Sequence, residues 1–109
     1  MEKAEAKAGG AREKEALSLI ASCVRRNLDY PHYRILAYGS RARKTAVSRS
    51  DFDIAVEAGG KIPLAVLARI EADLEDLPIL QKVDLVDLAA ADPGFRSEVL
   101  KDAKVLYER

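Results

Sequence analysis

The chain has 109 residues, with 18 Lys and Arg against 18 Asp and Glu, and 49% of its residues are hydrophobic. That length fits one domain with a real core and not two domains, the apolar content excludes disorder, and the balanced charge argues against a general nucleic-acid binder. A single cysteine, Cys23, excludes an internal disulfide, no Cys/His cluster suggests zinc, and no leader or membrane-length apolar run is present, so a reducing cytoplasm and no membrane partner are expected.

In chain order, Met1 to Gly10 is polar and alanine-rich and ends in Gly9-Gly10. Residues 1–11 are expected to be a flexible lead, followed by one domain over residues 12–109. From about Arg12 to Leu28, Leu17, Ile20, Ala21, Val24 and Leu28 recur at three- and four-residue steps, which predicts an amphipathic helix with Cys23 packed in the core. Asp29-Tyr30-Pro31-His32 breaks it. His32, the only histidine, falls in that connector and is read as a surface residue.

Tyr33 to Tyr38 reads as a first strand and leads straight into Gly39-Ser40-Arg41-Ala42-Arg43. Glycine lets the backbone turn sharply and lets a phosphate approach closely. The following N–H groups and the Ser40 hydroxyl can donate to phosphate oxygens, and Arg41 and Arg43 can neutralise their charge. A second strand, Phe52 to Glu57, follows Ser50-Asp51. Residues two apart on a strand share a side, so Asp51 and Asp53 are expected to project together. Their hard oxygens suit Mg²⁺, which is usually held by one or two carboxylates plus substrate phosphates. A Gly-Ser turn or an Asp-x-Asp alone is commonly bland; their order after an apolar strand is what makes them informative.

Gly59-Gly60 marks a loop, and Pro63 suits the first turn of a helix. Leu64, Leu67, Ala68, Ile70 and Leu74 should supply its buried face, with Glu71, Asp73, Glu75 and Asp76 on a solvated one. A third strand is expected within Leu80 to Leu88, over Lys82 to Leu88. An acidic side chain in such an apolar run is costly unless it faces a metal, a partner or water, which makes Asp84 the candidate third carboxylate. Asp87 lies on the other face and is expected to cap the strand end or meet solvent. Phe95, Val99, Leu100 and Ala103 suggest a short helix, and Val105-Leu106-Tyr107 a final strand or tail. The alternation of helices and strands predicts an α/β (α+β) domain: a mixed sheet of three to four strands with helices mainly on one face.

The run Gly39-Ser40-Arg41-Ala42-Arg43-Lys44-Thr45-Ala46, leading to Ser50-Asp51-Phe52-Asp53-Ile54, resembles the signature of the DNA polymerase beta-like nucleotidyltransferases. It is most similar to the minimal nucleotidyltransferases, small proteins often encoded as antitoxins beside a HEPN-domain toxin. The resemblance runs from about Arg34 to the C-terminus. It departs at Lys44, where the family often has glycine, and at Val47-Ser48-Arg49, where Arg-Pro-Asp is common. Both positions shape the loop between the turn and the aspartates.

The resemblance implies the nucleotidyltransferase fold and transfer of a nucleoside monophosphate, with ATP as donor. Gly39, Ser40, Arg41, Arg43 and Ser50 would then bind the nucleotide. Asp51, Asp53 and Asp84 would hold two Mg²⁺ ions, Asp84 because the family's third ligand lies on a strand that often reads Val-Asp-Leu-Val. A HEPN toxin is the implied partner, one of its tyrosines the acceptor, and loss of its RNase activity the result. Two alternatives stay open: a non-catalytic antitoxin that masks its toxin's surface, and a sugar-nucleotide glycosyltransferase using Asp51-Phe52-Asp53. The second leaves the Gly-Ser turn without a purpose.

Overall fold

The computed structural model describes residues 11–47 and 49–109. The expected lead over Met1 to Gly10, and Ser48 among the departures from the family pattern, lie outside the described residues. Helix α1 spans Ala11–Asn27, strand β1 Arg34–Tyr38, the short helix α2 Ser40–Arg43, and strand β2 Phe52–Glu57. Helix α3 spans Leu64–Glu75 and strand β3 Val83–Asp87, continued by a 3₁₀ turn over Leu88–Ala90. Helix α4 covers Pro93–Asp102 and strand β4 Lys104–Glu108.

The strands form one mixed sheet in the order β3-β2-β1-β4. β1 runs antiparallel to β2 and β4, and β2 parallel to β3. The parallel pair needs a crossover, and α3 supplies it. β4 pairs with β1 through a bulge: Ile35 faces Tyr107 and Leu36 faces Val105, which leaves Leu106 as the extra residue.

Period-two alternation sorts the strands into two faces. Ile35 and Ala37 of β1 and Phe52, Ile54 and Val56 of β2 pack with Ile20, Cys23 and Val24 of α1 and Ile70 and Leu74 of α3. On the other face Leu36, Ala55, Leu88 and Val99 form a smaller cluster under α4. Cys23 is fully buried, and burial pushes its thiol up from its ordinary pKa. His32 is exposed in the connector, as expected.

Several boundaries and faces differ from expectation. Leu64 is 83% exposed, because it opens α3 before the helix has reached the sheet, and Ala68 is exposed as well. Ile70 and Leu74 are buried, and Leu67 is half-buried against them. Pro63 caps α3 from outside rather than sitting in its first turn; its carbonyl accepts from the N–H groups of Val66 and Leu67 at 3.0 and 3.1 Å. Asp73 is not merely solvated: its carboxylate accepts from Asn27 Nδ2 at 3.0 Å, and that amide also reaches the Cys23 carbonyl. This bridge ties α1 to α3. The third strand is shorter than Lys82 to Leu88, since Leu88 turns into the 3₁₀ segment.

Candidate active site

The register of the sheet assembles the site. Asp53 of β2 pairs directly with Asp84 of β3 on one side and with Tyr38 of β1 on the other. Paired residues of adjacent strands share a face, and neighbouring strands run about 4.8 Å apart, so Tyr38, Asp53 and Asp84 form one row across the sheet. Asp51, exposed just before β2, is two residues from Asp53. The sheet thus brings Asp53 and Asp84 together, with Asp51 just before the strand.

Their charges bear on one another. Burial raises the Asp53 carboxyl above the ordinary carboxylate range, Asp84 and then Asp51 push it further, and the Arg43 guanidinium pulls it back. Burial also raises the Tyr38 phenol, with added repulsion from Asp53 and Asp84. Asp84 keeps partial exposure and meets Lys82 Nζ at 3.4 Å. The donor set fits a divalent cation, because three crowded carboxylates offer hard oxygens and repel one another until a positive charge lies among them. Among the described residues no group of three or more His, Cys, Asp or Glu is arranged to hold an ion by itself.

The turn sits against this row. Gly39 has φ +76°, and a Cβ there would lie 2.5 Å from Asp53 Oδ2. Glycine is thus required both by the backbone and by the closeness of the carboxylate. The Gly39 carbonyl accepts from Arg43 N at 3.1 Å, and the Ser40 carbonyl from Thr45 N at 2.9 Å. Lys44 ends α2 in the left-handed region at φ 62°, which explains why glycine suits this position.

The predicted nucleotide-binding residues divide into two groups. Gly39, Ser40 and Arg43 lie on the turn beside the carboxylates, with Arg43 exposed. Arg41 is turned inward and is 6% exposed. Its guanidinium lies 4.1 Å from the centre of the Phe52 ring, donates to the Ser50 carbonyl and meets Glu13 Oε2 at 3.9 Å. Arg41 therefore braces the loop rather than facing solvent. Ser50 is its partner, and the Ser50 hydroxyl accepts from Val47 N at 3.0 Å to close the loop before the aspartates.

Asp87 occupies the opposite face from Asp84. It is buried and accepts from Ile62 N at 2.7 Å and Ala89 N at 3.1 Å, pinning the loop before α3 and starting the 3₁₀ turn. Two site neighbours were not foreseen. Tyr38 read only as the end of a strand, and Phe95 only as part of a short helix. Phe95 is 41% exposed and meets the Tyr38 ring edge-on, with centroids 5.9 Å apart. The strand register that places Tyr38 beside Asp53 depends on the β1–β2 loop, which sequence spacing does not resolve.

A glycine-serine turn under a row of aspartates on a small mixed sheet is the arrangement of a nucleotidyltransferase. The chain belongs to the polymerase beta nucleotidyltransferase family, whose model matches residues 32–109. It is 28% identical to the probable protein adenylyltransferase MntA of Haemophilus influenzae over 79 residues, 72% of this chain and 69% of that protein. A crystal structure of a toxin–antitoxin with AMP-PNP superposes at a TM-score of 0.64 and 26% identity, covering 84% of this chain and 72% of that one. The MNT antitoxin in complex with the tri-AMPylated HEPN toxin of Shewanella oneidensis superposes at 0.68 and 24% identity, covering 87% and 71%, a likeness of fold.

Proposed function

We propose that this nucleotidyltransferase is an antitoxin that moves AMP from ATP onto a tyrosine hydroxyl of a partner HEPN toxin, the tyrosine oxygen bonding to the α-phosphorus as pyrophosphate leaves. The Gly39-Ser40 turn would seat the phosphates, and Arg43 would offset their charge. Asp51, Asp53 and Asp84 would hold Mg²⁺, two ions in the fullest arrangement, with substrate phosphates completing the shell. Bound there, the cation would offset charge on the attacking and leaving oxygens of an in-line displacement. Asp84, on the edge strand of the sheet, would accept the acceptor's proton. The observation that carries this reading is the Asp53–Asp84 pairing with Asp51 beside it, set against Gly39. The relatives add to it: one is a probable protein adenylyltransferase, and another is a toxin–antitoxin with an ATP analogue.

The test mixes the protein with a HEPN protein encoded beside it, ATP and Mg²⁺, and weighs the HEPN protein by mass spectrometry. A gain of one or more AMP masses on tyrosine is expected. No gain, together with protection of cells by an Asp51→Asn/Asp53→Asn variant as good as wild type, would establish a masking antitoxin instead.

A further inference from the structure

The sheet ends in β3 on one side and β4 on the other, and the two edges are guarded differently. An open edge offers unpaired N–H and C=O groups to any extended chain, and proteins ordinarily blunt it with charge, proline or a bulge. β4 carries such devices: its pairing with β1 is bulged, and Lys104 and Glu108 stand at its ends. β3 has neither a bulge nor a proline. Its aspartates do not guard the edge either. Asp87 is buried and holds the Ile62 and Ala89 N–H groups, and Asp84 stands in the acidic row. Lys82, just before the strand, is drawn onto Asp84.

The register fixes which groups lie open. The Lys82 carbonyl accepts from Phe52 N at 2.9 Å, so Lys82, Asp84 and Val86 turn their backbone polar groups toward β2. By alternation those of Val83 and Leu85 turn outward, where among the described residues neither N–H has a partner. These two residues flank Asp84. A chain added antiparallel to β3 would bond to Val83 and Leu85 and set one of its own residues directly opposite Asp84. That is the non-hydrogen-bonded position, where side chains come closest. The added residue would project on the face of Tyr38, Asp53 and Asp84 and lengthen their row by one. Tyr38 already occupies the opposite end of that row, where its phenol feels both carboxylates. A tyrosine beside Asp84 would carry its hydroxyl past the carboxylate to a nucleotide held over the row, whereas a serine hydroxyl would stop beside the carboxylate.

We propose that β3 is the docking edge for the acceptor: an extended segment of the partner protein pairs antiparallel with it and sets its tyrosine opposite Asp84. The inference rests on the proposed function and adds where the acceptor is held. As the phenol oxygen bonds to the α-phosphorus and pyrophosphate leaves, the phenol proton passes to Asp84.

The test uses the full chain with the whole HEPN protein encoded beside it, and then with synthetic peptides of the sequence around the tyrosine that gains AMP. Amide hydrogen exchange at Val83 and Leu85 should slow at least tenfold when the whole partner binds. The unmodified peptide should accept AMP. Methylating the amide nitrogen of the residue before or after its tyrosine, both of which would face β3, should raise KM at least tenfold. Methylating the tyrosine's own nitrogen, which would face away, should change KM less than threefold. A serine in place of the tyrosine should lower transfer at least 100-fold while the protection of Val83 and Leu85 is kept. Transfer to the whole partner would uphold the proposed function but overturn this inference if Val83 and Leu85 exchanged as in the free chain, if the peptide accepted no AMP, or if all three methylations acted alike. A serine peptide as good as the tyrosine one would overturn it as well, and no transfer to the partner at all would overturn both readings.

Discussion

The two faces of β2 carry opposite duties within six residues. Phe52, Ile54 and Val56 are sealed under α1 and α3, while Asp53, one residue away, stands beside Gly39 and Asp84. The core face is lined by apolar side chains, with the Arg41 guanidinium stacked on Phe52 at its end, and the other face carries charge at one end and the Leu36, Ala55, Leu88 and Val99 cluster at the other. The comparison shows where a small domain finds rigidity for a charged site. Carboxylates that repel one another are held in place because the same strand is anchored by its opposite side.

Substitutions on either face can separate these duties. The largest effect is expected at Asp84: Asp84→Ala should lower transfer about 1,000-fold, roughly 4 kcal/mol of transition-state stabilisation, with the melting temperature unchanged or higher. Transfer measured with labelled ATP checks this, and a variant that loses stability instead would break the division. On the core face, Ile54→Ala should cost about 2–5 kcal/mol in urea unfolding, with transfer retained by whatever remains folded. Asp87→Ala, three residues from Asp84, should cost ~1–3 kcal/mol by leaving the Ile62 and Ala89 N–H groups without their acceptor. It should leave transfer near wild type at low temperature. Lys44→Gly should add about 1 kcal/mol by relieving the left-handed backbone.

The smallest effect is on pH dependence. Because the folded state raises the Asp53 pKa, the protonated carboxyl is the form that the fold favours. Without a cation, that contribution to stability is full below the ordinary Asp value of 3.8 and is lost as pH rises through the raised one. Asp53→Asn should therefore raise the melting temperature most near neutral pH, with the gain vanishing in acid. Added Mg²⁺ should stabilise the wild type near neutral pH and not the variant. Melting curves across pH with and without Mg²⁺ test both statements.

Much of this was legible in the order of residues, because local rules govern it. β2 occupies the expected residues, and α1 lies within one residue of expectation at each end. The opposite facing of Asp84 and Asp87 followed from strand parity alone. Tertiary packing decided the rest. Arg41 and Arg43 are two residues apart and chemically alike, yet one is buried over Phe52 beside the Ser50 carbonyl and the other is exposed near Asp53. Only the path of the loop distinguishes them. Leu64 satisfied the helical period but began the helix too early to reach the sheet.

Periodicity determined the elements and which aspartates share a face, because side-chain direction along one strand or helix is a property of local geometry; the class of protein came from the resemblance of residues 39–54 to a known signature. Which strands became neighbours and that Tyr38 joined the acidic row were settled by the sheet's register, and which arginine turned inward by the path of the loop. Register arises from packing between segments far apart in the chain, and no local pattern encodes it.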